Sequence, residues 1–503
     1  MVLAELLQGV HVIKLFSSYF GRMALTQDIS INNVQYDSRK VDVNDLFVAI
    51  KGESVDGHAY LERAIQQGAV AIVVQDDHAL PDPYFLHTNV FKILVPDSRK
   101  ALARIAANYH HDPSKELTLV GVTGTNGKTT TTHIVRAILE HAGKKTGLIG
   151  TIGYHTGSRL LPATHTTPES LELNALLREM RTEGCTAAAM EVSSHALALH
   201  RVEALQFAAG VFTNLTQDHL DFHHSMDEYF QAKRSLFDML DSTSTAVTNL
   251  DDPYGRAIVG NTHARVWSYA QHPGADVVAE EVAVTVAGIR MKIHHPGGTI
   301  PLSARLTGRF NVENILAGAA TGIVLGVRDE AIQSAVDGLK AVRGRFEQIL
   351  TPGGWTVVID YAHTPDALEK CLRTIRDLLP LKGAGRVITV FGCGGDRDRT
   401  KRPIMGKIAS ELSDITIVTS DNPRTESPDA IIDEIFTGIP KGSTAKRFAD
   451  RKTAIAEAFG AAQAGDFVLL AGKGHEDYQV VGKEKVHLDD HEEVEHWLRR
   501  EKN

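Results

Sequence analysis

Short runs of apolar residues alternate along most of this chain with longer stretches in which apolar residues recur every three or four positions. The short runs are typical of buried strands, and the longer stretches are typical of helices that pack on a sheet. In the first part of the chain, the predicted strands are 46–50, 70–74 and 92–95, and the predicted helices are 59–67 and 99–109. The apolar N-terminus is interrupted by Glu5, His11 and Lys14, which favours a helix packed on its own domain over a signal peptide. The pattern predicts a small α/β domain over 1–112.

A second region of strand and helix alternation follows Asp112-Pro113 and extends to about Gly344. Its first strand, 117–122, leads into a glycine turn and then into a helix with apolar residues at helical spacing. Residues 276–301 alternate instead between apolar and polar positions, which indicates an antiparallel excursion. We therefore predict a central domain over 113–345 with a mostly parallel sheet.

The remainder of the chain alternates in the same way and predicts a third domain over 346–503. Its predicted strands are 356–359, 386–391 and 414–418, and its predicted helices are 365–378 and 402–412. The fold class is α/β, with a small N-terminal α/β domain, a central P-loop-type domain and a Rossmann-like C-terminal domain.

Composition narrows the class of protein without naming a reaction. A chain of 503 residues is long enough for three domains, and its net charge of -9 argues against nonspecific nucleic-acid binding. Three cysteines without paired spacing suggest neither a disulfide framework nor a zinc site, which fits a reducing cytoplasm. No apolar run reaches the ~20 residues of a membrane span.

The loop after the first central strand carries the strongest chemical signal. Gly124-Thr-Asn-Gly-Lys-Thr-Thr130 lies between a predicted strand and a predicted helix, where backbone N–H groups and the helix N-terminus favour phosphate. Lys128 adds a positive charge, and the Thr129 hydroxyl is placed for a magnesium ion that bridges nucleotide phosphates. A strict P-loop would have glycine at Val122, so this is a shortened variant that predicts ATP or GTP binding.

Other polar residues follow predicted strands of the central domain. Glu191 ends one strand, while Asn214, Asp218 and His219 follow the next, which suggests a metal or substrate site at one sheet edge. Lys233 lies on a predicted helix, and composition alone indicates a solvated lysine.

Four loops of the third domain follow predicted strands and are rich in Asp, Arg, Asn and Gly. They are 360–365, 392–402, 420–428 and 471–478. Arginines such as Arg397 and Arg424 suit bidentate binding of carboxylate or phosphate. An ATP site facing an anion site suggests phosphoryl transfer onto a carboxylate, and the residues alone leave the next step open.

Seven motifs together resemble, in order, those of the Mur ligases. They are Thr123-Gly-Thr-Asn-Gly-Lys-Thr-Thr130, Met190-Glu-Val-Ser-Ser-His195, Phe212-Thr-Asn-Leu215 with Asp218-His-Leu-Asp221, Asp360-Tyr-Ala-His-Thr-Pro365, Gly392-Cys-Gly-Gly-Asp-Arg397, Asp421-Asn-Pro-Arg424 and Gly472-Lys-Gly-His-Glu476. The resemblance covers about 36–478 and is strongest to the branch that extends UDP-N-acetylmuramoyl-L-alanyl-D-glutamate with meso-2,6-diaminopimelate during peptidoglycan synthesis. It implies that ATP phosphorylates the D-glutamate carboxylate and that an amine then displaces phosphate.

The resemblance also implies roles for individual residues. The ATP site would comprise Gly124, Thr125, Asn126, Gly127, Lys128, Thr129, Thr130, Asn314, Arg345 and Asp360, with Lys128, Glu191, His219 and Lys233 as the catalytic set. Two Mg²⁺ ions would be held by Thr129, Glu191, His219 and a carbamylated Lys233, an implication that replaces the composition-based interpretation of this lysine. The UDP-linked substrate would contact Tyr36, Ser38, Glu53, Ser54, Val55, Thr166, Thr167, Ser193, Leu199 and Arg201. Leu199 is a departure from the resemblance, because we expect some relatives to have a polar group at this position.

The implied diaminopimelate site comprises Arg397, Asp421, Asn422, Pro423, Arg424, Gly472 and Glu476. Arg424 would pair with the distal carboxylate that lysine lacks, and Glu476 would meet the distal ammonium. The alternatives are a lysine-adding Mur ligase, a folylpolyglutamate synthetase-like ligase and a nucleotide-dependent switch or scaffold. We expect a cytoplasmic monomer without nucleic-acid partners, in which domain closure excludes water from the acyl phosphate.

Overall fold

The computed structural model describes residues 1–17, 29–52, 55–85, 88–379 and 385–501. The described strands form four sheets, of five, eleven, six and two strands. The predicted mixed α/β class with three successive sheet-and-helix regions is confirmed. In these ranges, no helix combines the length and the apolar character that crossing a bilayer requires. The exact domain boundaries at 112/113 and 345/346 stay a prediction.

The N-terminal region is built on the five-stranded sheet, ordered β1-β5-β4-β3-β2, in which β1 alone is antiparallel to its neighbour. Its strands are β1 Lys14–Phe16, β2 Val34–Gln35, β3 Leu46–Val48, β4 Ala71–Val74 and β5 Phe91–Leu94, and its helices are α1 Leu3–Leu6, α2 Leu61–Gln66, α3 Asp82–Phe85 and α4 Ser98–Tyr109. Leu3 and Leu6 of α1 are buried in the same core as Leu102 and Ile105 of α4. The N-terminal helix therefore packs on this region, as its apolar pattern predicts.

The central sheet is ordered β16-β15-β14-β13-β12-β11-β6-β10-β7-β8-β9. Its strands are β6 Thr118–Thr123, β7 Thr146–Ile149, β8 Tyr154–His155, β9 Leu160–Leu161, β10 Ala187–Glu191, β11 Ala209–Phe212, β12 Thr245–Asn249, β13 Arg265–Ala270, β14 Val277–Thr285, β15 Gly288–His295 and β16 Gly298–Ala304. Strands β14 to β16 are joined by antiparallel pairings, so the predicted antiparallel excursion is confirmed and extends one end of this sheet. The helices are α5 Lys128–His141, α6 Ser170–Thr182, α7 Ser194–Ala198, α8 Leu220–His223, α9 Met226–Asp238, α10 Gly255–Ile258, α11 Arg309–Val324 and α12 Asp329–Gly338.

Three parallel strands in the middle of this sheet position the candidate site. Strand β6 lies between β10 and β11, and all three are buried and apolar almost throughout. The register pairs Val122 with Glu191 and Thr123 with Phe212. Since parallel strands end at the same edge, the residues that follow them meet there.

The C-terminal sheet is ordered β17-β18-β22-β19-β20-β21, with an antiparallel β17 at its edge. Its strands are β17 Glu347–Leu350, β18 Thr356–Asp360, β19 Val387–Phe391, β20 Ile415–Thr419, β21 Ala445–Phe448 and β22 Phe467–Ala471, and a separate hairpin pairs β23 Tyr478–Val481 with β24 Glu484–His487. The helices are α13 Pro365–Leu378, α14 Lys401–Leu412, α15 Pro428–Phe436, α16 Arg451–Ala461 and α17 Asp490–Glu501. Asp360 pairs in register with Ala471, so the loops after β18 and β22 are neighbours.

Candidate active site

The phosphate loop connects β6 to α5 through two glycines in left-handed conformations. Gly124 has φ 147° and Gly127 has φ 85°. A Cβ atom at Gly127 would lie 2.2 Å from Oδ1 of Asn314 on α11. Only glycine combines this backbone conformation with so close an approach. The predicted strand, glycine turn and helix are therefore all present.

Two lysines, the half-buried Lys128 and the buried Lys233, converge on this loop. Lys128 Nζ donates to the carbonyl oxygens of Gly124 (2.8 Å) and Thr125 (2.7 Å), and Lys233 Nζ donates to the same Gly124 oxygen (2.7 Å). Burial lowers the pKa of Lys128, and burial together with the Lys128 charge lowers the pKa of Lys233 well below its usual value. Both amines therefore lie where an anion would stabilise their charged forms.

Glu191 ends β10 beside the start of α5 and is almost fully buried. Its carboxylate accepts hydrogen bonds from the Thr129 hydroxyl (3.0 Å) and from the backbone N–H of Thr151 (2.8 Å). The Arg345 guanidinium donates to the Thr129 hydroxyl oxygen (2.8 Å), although Arg345 lies 216 positions away in sequence. The hydroxyl of Thr129 is thus held between a carboxylate and an arginine.

His219 and its neighbours follow β11 at the same sheet edge. His219 has a left-handed backbone (φ 54°), and its Nε2 lies 3.2 Å from Oδ2 of Asp218. Burial lowers the pKa of His219 to about 3, so the imidazole is neutral near pH 7 and can act as a ligand. Asn214 accepts from the N–H of Asn126 in the phosphate loop (2.9 Å). The polar residues after β6, β10 and β11 therefore meet, as the sequence predicts.

The donor groups of Thr129, Glu191 and His219, which line one cavity, suit a hard cation. They are a hydroxyl, a carboxylate and a neutral imidazole, which is a set that Mg²⁺ accepts when phosphate oxygens complete its octahedron. Within the described ranges, no group of three or more His, Cys, Asp or Glu side chains is arranged to hold a metal alone.

A cavity beside the phosphate loop is lined by residues of both the central and the C-terminal regions. From the central region come the phosphate loop 125–130 with Thr151, Thr166, Glu191, Ser193, Ser194, Asn214, Asp218, His219, Tyr229, Lys233, Phe310, Glu313 and Asn314; the C-terminal side supplies Arg345, Asp360, Tyr361, Ala362, His363, Ala367, Lys370 and Cys371. Asp366, at the start of α13, accepts from Asn126 Nδ2 (2.8 Å) and the Thr216 hydroxyl (3.3 Å). Asp360 is buried, which raises its pKa, and its carboxylate accepts from the N–H of Phe346 (2.6 Å).

Of the residues predicted to contact the UDP-linked substrate, Tyr36 lies at the junction between the first two regions. Tyr36 donates to Glu172 of α6 (2.8 Å). Ser38 is buried, whereas Val55 is exposed. Glu53 and Ser54 lie outside the described residues. Leu199 ends α7 and is half-buried.

Four further residues of that predicted set are linked to Glu191. The Thr167 hydroxyl donates to the Glu191 carbonyl oxygen (2.8 Å) and accepts from the N–H of Ser193 (3.0 Å). Arg201 donates to the Thr167 carbonyl oxygen (3.0 Å), and the Thr166 hydroxyl lies 3.0 Å from that of Thr151. Thr166 and Ser193 therefore line the same cavity as the phosphate loop.

The loops predicted to bind the amino acid form a second cluster, which is linked to the cavity through Tyr361. Asn422 Nδ2 donates to Glu476 Oε2 (2.9 Å), and the buried Lys473 donates to the same oxygen (2.7 Å). Arg424 donates to the Gly395 carbonyl oxygen (2.8 Å) and follows the buried Pro423. A Cβ atom at Gly472 would lie 2.6 Å from Asp421 Oδ2, so this glycine permits the carboxylate to approach.

One residue of this predicted set, Arg397, is exposed on its loop and donates to the Asp396 carbonyl oxygen (3.1 Å).

The structure corrects one interpretation and adds residues that the motifs did not single out. The composition-based interpretation of Lys233 as a solvated side chain is wrong, because packing of α9 against the phosphate loop leaves it 1% exposed. Thr151, Tyr361 and Lys473 also lie at the site. Tyr361 and Lys473 occur inside recognised motifs, whereas Thr151 follows β7 without a sequence signal.

Three family models match successive parts of the chain. They are described as the Mur ligase family catalytic domain (30–110), the Mur ligase middle domain (122–322) and the Mur ligase glutamate ligase domain (344–474). Their order follows that of the N-terminal, central and C-terminal sheets.

Full-length relatives and a solved structure agree with these matches. UDP-N-acetylmuramoyl-L-alanyl-D-glutamate--2,6-diaminopimelate ligase of Geobacter metallireducens is 46% identical over 488 residues, covering 93% of this chain and 94% of the relative. The protein of the same name from Gloeobacter violaceus is also 46% identical, with 95% of each chain covered. A solved structure of a ligase with that name superposes with a TM-score of 0.67 at 30% identity, covering 96% of this chain and 98% of the other. This chain belongs to the Mur ligase family.

Proposed function

We propose that this protein adds meso-2,6-diaminopimelate to UDP-N-acetylmuramoyl-L-alanyl-D-glutamate, with hydrolysis of ATP to ADP and phosphate, during cytoplasmic peptidoglycan precursor synthesis. Mur ligases are ATP-dependent ligases of this pathway, and the relatives at 43–47% identity carry the name of this reaction. We further propose that the protein acts as a monomer whose domains divide at 112/113 and 345/346.

One observation carries the proposal. A single cavity is lined by the phosphate loop, by Tyr361, and by Thr166 and Ser193, which are predicted to contact the UDP-linked substrate. Tyr361 in turn donates to Glu476 of the amino-acid loops (3.3 Å). The residues predicted to bind ATP and the UDP-linked acid therefore line one cavity, and those predicted to bind the amine contact its wall. A ligase requires this arrangement, whereas a nucleotide switch or scaffold would not.

The first chemical step is phosphoryl transfer from ATP to the D-glutamate carboxylate. The N–H groups of 124–130 and the Lys128 ammonium would hold the phosphates, while Thr166, Thr167, Ser193 and Arg201 would hold the peptide end. Mg²⁺, held by Thr129, Glu191 and His219 together with phosphate oxygens, would neutralise charge on the transferred group. Asn314, Arg345 and Asp360 would contact the nucleotide from the α11 and C-terminal side.

Lys233 can take part as its carbamate. Its depressed pKa makes the neutral amine accessible, and that nitrogen can attack carbon dioxide with loss of one proton. The product is an anion beside Lys128 and the phosphate loop, where it would replace a buried cation and offer oxygen to a second Mg²⁺.

The second step is attack of the diamino acid on the acyl phosphate, which forms an amide and releases phosphate. Arg424 and Arg397, with Asp421, Asn422 and Gly472, would orient the distal zwitterion. Glu476 would meet its ammonium. Lysine lacks the distal carboxylate and would leave Arg424 without its partner, so the proposal includes a preference for diaminopimelate.

The test is an assay of purified protein with ATP, Mg²⁺ and UDP-N-acetylmuramoyl-L-alanyl-D-glutamate, in which product mass and phosphate release are followed. We expect phosphate release to depend on meso-diaminopimelate and to be at least tenfold slower with L-lysine. Equal use of lysine would show the lysine-adding activity instead. Glutamate addition to a folate would indicate the folylpolyglutamate type, and phosphate release that ignores every amino acid would indicate a switch. Intact mass of the protein with and without added bicarbonate tests for the carbamate on Lys233.

A further inference from the structure

Tyr361 is the residue through which the nucleotide cavity and the amino-acid loops touch. Its backbone N–H donates to the Gly344 carbonyl oxygen (3.0 Å), which fixes the residue at the end of β18. Tyr361 lines the cavity that contains the phosphate loop. Its hydroxyl donates to Glu476 Oε1 (3.3 Å).

On the nucleotide side, the ring of Tyr361 supports an arginine that contacts the phosphate loop. The Arg345 guanidinium carbon lies 4.9 Å from the centre of the Tyr361 ring. The same guanidinium donates to the Thr129 hydroxyl oxygen (2.8 Å). A nucleotide whose phosphates and metal engage Thr129 must therefore alter the contacts of Arg345, and with them the environment of the ring.

On the amino-acid side, Glu476 has three donors that fix its carboxylate. Tyr361 donates to Oε1, whereas Asn422 (2.9 Å) and Lys473 (2.7 Å) both donate to Oε2. Lys473 is fully buried and also donates to Asn422 Oδ1 (3.2 Å). Lys473 and Asn422 hold Oε2, and the Tyr361 hydroxyl holds Oε1. We therefore expect the hydroxyl to set the position in which Oε1 meets a ligand.

We infer that Tyr361 is a positioning residue that couples the two sites, so that nucleotide binding strengthens the binding of the diamino acid through Arg345, Tyr361 and Glu476. The inference rests on the proposed function for the identity of the two ligands. It adds to that function a single residue that links the two sites, with Arg345 on one side and Glu476 on the other. Coupling between two sites is reciprocal, so the diamino acid should strengthen nucleotide binding by the same factor.

The experiment measures binding of meso-diaminopimelate by calorimetry to protein saturated with the UDP-linked substrate, with and without a non-hydrolysable ATP analogue and Mg²⁺. For the unmodified protein we expect the analogue to tighten binding by roughly 5- to 150-fold, the usual range of coupling between sites. Tyr361→Phe keeps the ring under Arg345 and removes only the hydroxyl. We expect it to lower this ratio about tenfold or to near one, while affinity for the analogue in the absence of diaminopimelate stays within about twofold.

A further variant separates positioning from a general loss of structure. Tyr478→Phe is a matched control, because the Tyr478 ring packs on the same Lys473 ammonium (5.3 Å), and we expect it to retain the ratio. Analogue affinity also reports whether each variant is folded.

The outcomes distinguish this inference from the proposed function. If the protein ligates diaminopimelate but the analogue does not change its affinity, or Tyr361→Phe keeps the full ratio, the coupling is overturned and the ligase activity stands. A protein that neither binds nor ligates diaminopimelate overturns both.

Discussion

At the scale of single residues, Gly127 shows how closely the phosphate loop is fitted to its surroundings. We expect Gly127→Ala to weaken nucleotide binding by at least tenfold. A methyl group there would meet Asn314 at 2.2 Å, and the left-handed backbone (φ 85°) itself disfavours alanine by about 1–2 kcal/mol. Equilibrium binding of a fluorescent ATP analogue measures the effect.

Gly143, just beyond the other end of α5, provides the matched control. It has a similar φ of 79°, and an added Cβ atom would have no neighbour within 4 Å. Gly143→Ala should therefore cost about 1 kcal/mol of stability without changing nucleotide affinity. Equal nucleotide affinities for the two variants would contradict the role assigned to the close contact with Asn314.

Single residues also show what the sequence could and could not predict. The 124–130 loop was predictable because its function depends on local backbone geometry, which a glycine pattern encodes. The environment of Lys233 was not predictable from composition, because its partner, the Gly124 carbonyl oxygen, is 109 positions away. Tyr361 lies inside the motif 360–365, but that motif does not indicate its contact with Glu476, which follows a different strand.

At the scale of elements, a buried arginine joins the two loops that carry Arg397 and Arg424. Arg402 at the start of α14 is fully buried and donates to both carboxylate oxygens of Glu426 (2.8 and 2.9 Å) and to Glu434 (2.8 Å). Glu426 also accepts from the N–H of Asp396, next to Arg397 (2.6 Å).

We expect Arg402→Met to raise the KM for diaminopimelate several-fold and leave the KM for ATP unchanged, because both loops lose their shared anchor. Stability of the C-terminal region should fall by roughly 3 kcal/mol, the lower end for a broken buried pair, since both glutamates retain some access to water. Arg399→Met is the control. Arg399 binds the same Glu434 from an exposed position, so its loss should cost under about 1 kcal/mol.

The C-terminal helix α17 is attached to β17 by a pair whose strength depends on pH. His491 Nε2 lies 2.9 Å from Glu347 Oε1, and this hydrogen bond raises the pKa of His491. Burial opposes ionisation of Glu347, but the bond to His491 prevails and its pKa is lowered. A raised histidine pKa stabilises the fold fully below the unfolded value near 6.5, and the gain is lost as pH rises through the folded value. The lowered glutamate pKa acts in the opposite sense, so its contribution is lost in acid.

We therefore expect His491→Gln to cost up to about 1 kcal/mol at pH 5.5 and little at pH 8.5. Urea unfolding followed by tryptophan fluorescence is suitable, because Trp355 and Trp497 both pack on Phe459 in this region. His487→Gln is the control, since its pair with Glu492 is well exposed on both sides. A His491→Gln cost that is the same at both pH values would show that the pair is not linked to protonation.

Elements were predictable from the sequence to the extent that their formation is local. Strands β3, β4 and β5 and helix α4 coincide with apolar runs and periodic stretches, and the antiparallel strands β14 to β16 follow their alternating pattern. The order of strands was not predictable in the same way. Placing β6 between β10 and β11, or β22 between β18 and β19, depends on contacts between distant segments that no local pattern records.

At the scale of the whole molecule, Asp366 connects the phosphate loop to the C-terminal region. Its Oδ2 accepts from Asn126 in the phosphate loop (2.8 Å) and from Thr216 (3.3 Å), while Lys370 on its own helix lies 3.0 Å away. The family resemblance predicts domain closure without indicating what holds the domains together. In the structure, an acceptor at the first turn of α13 contacts the phosphate loop.

We expect Asp366→Ala to enlarge the free protein measurably in small-angle X-ray scattering and to raise the KM for ATP several-fold, because the two walls of the cavity lose a shared contact. The stability of each region should change by less than about 1 kcal/mol, as the pair is partly exposed. Glu369→Ala is the control, since Glu369 lies three positions after Asp366 on the same helix and binds only Arg373 of that helix among the contacts described for it. If both variants scatter like the unmodified protein, some other contact maintains the arrangement. If only Asp366→Ala expands, and a bound ATP analogue restores its original size, two conclusions follow. The Asp366 contact keeps the cavity closed in the free protein, and the nucleotide can close it without that contact.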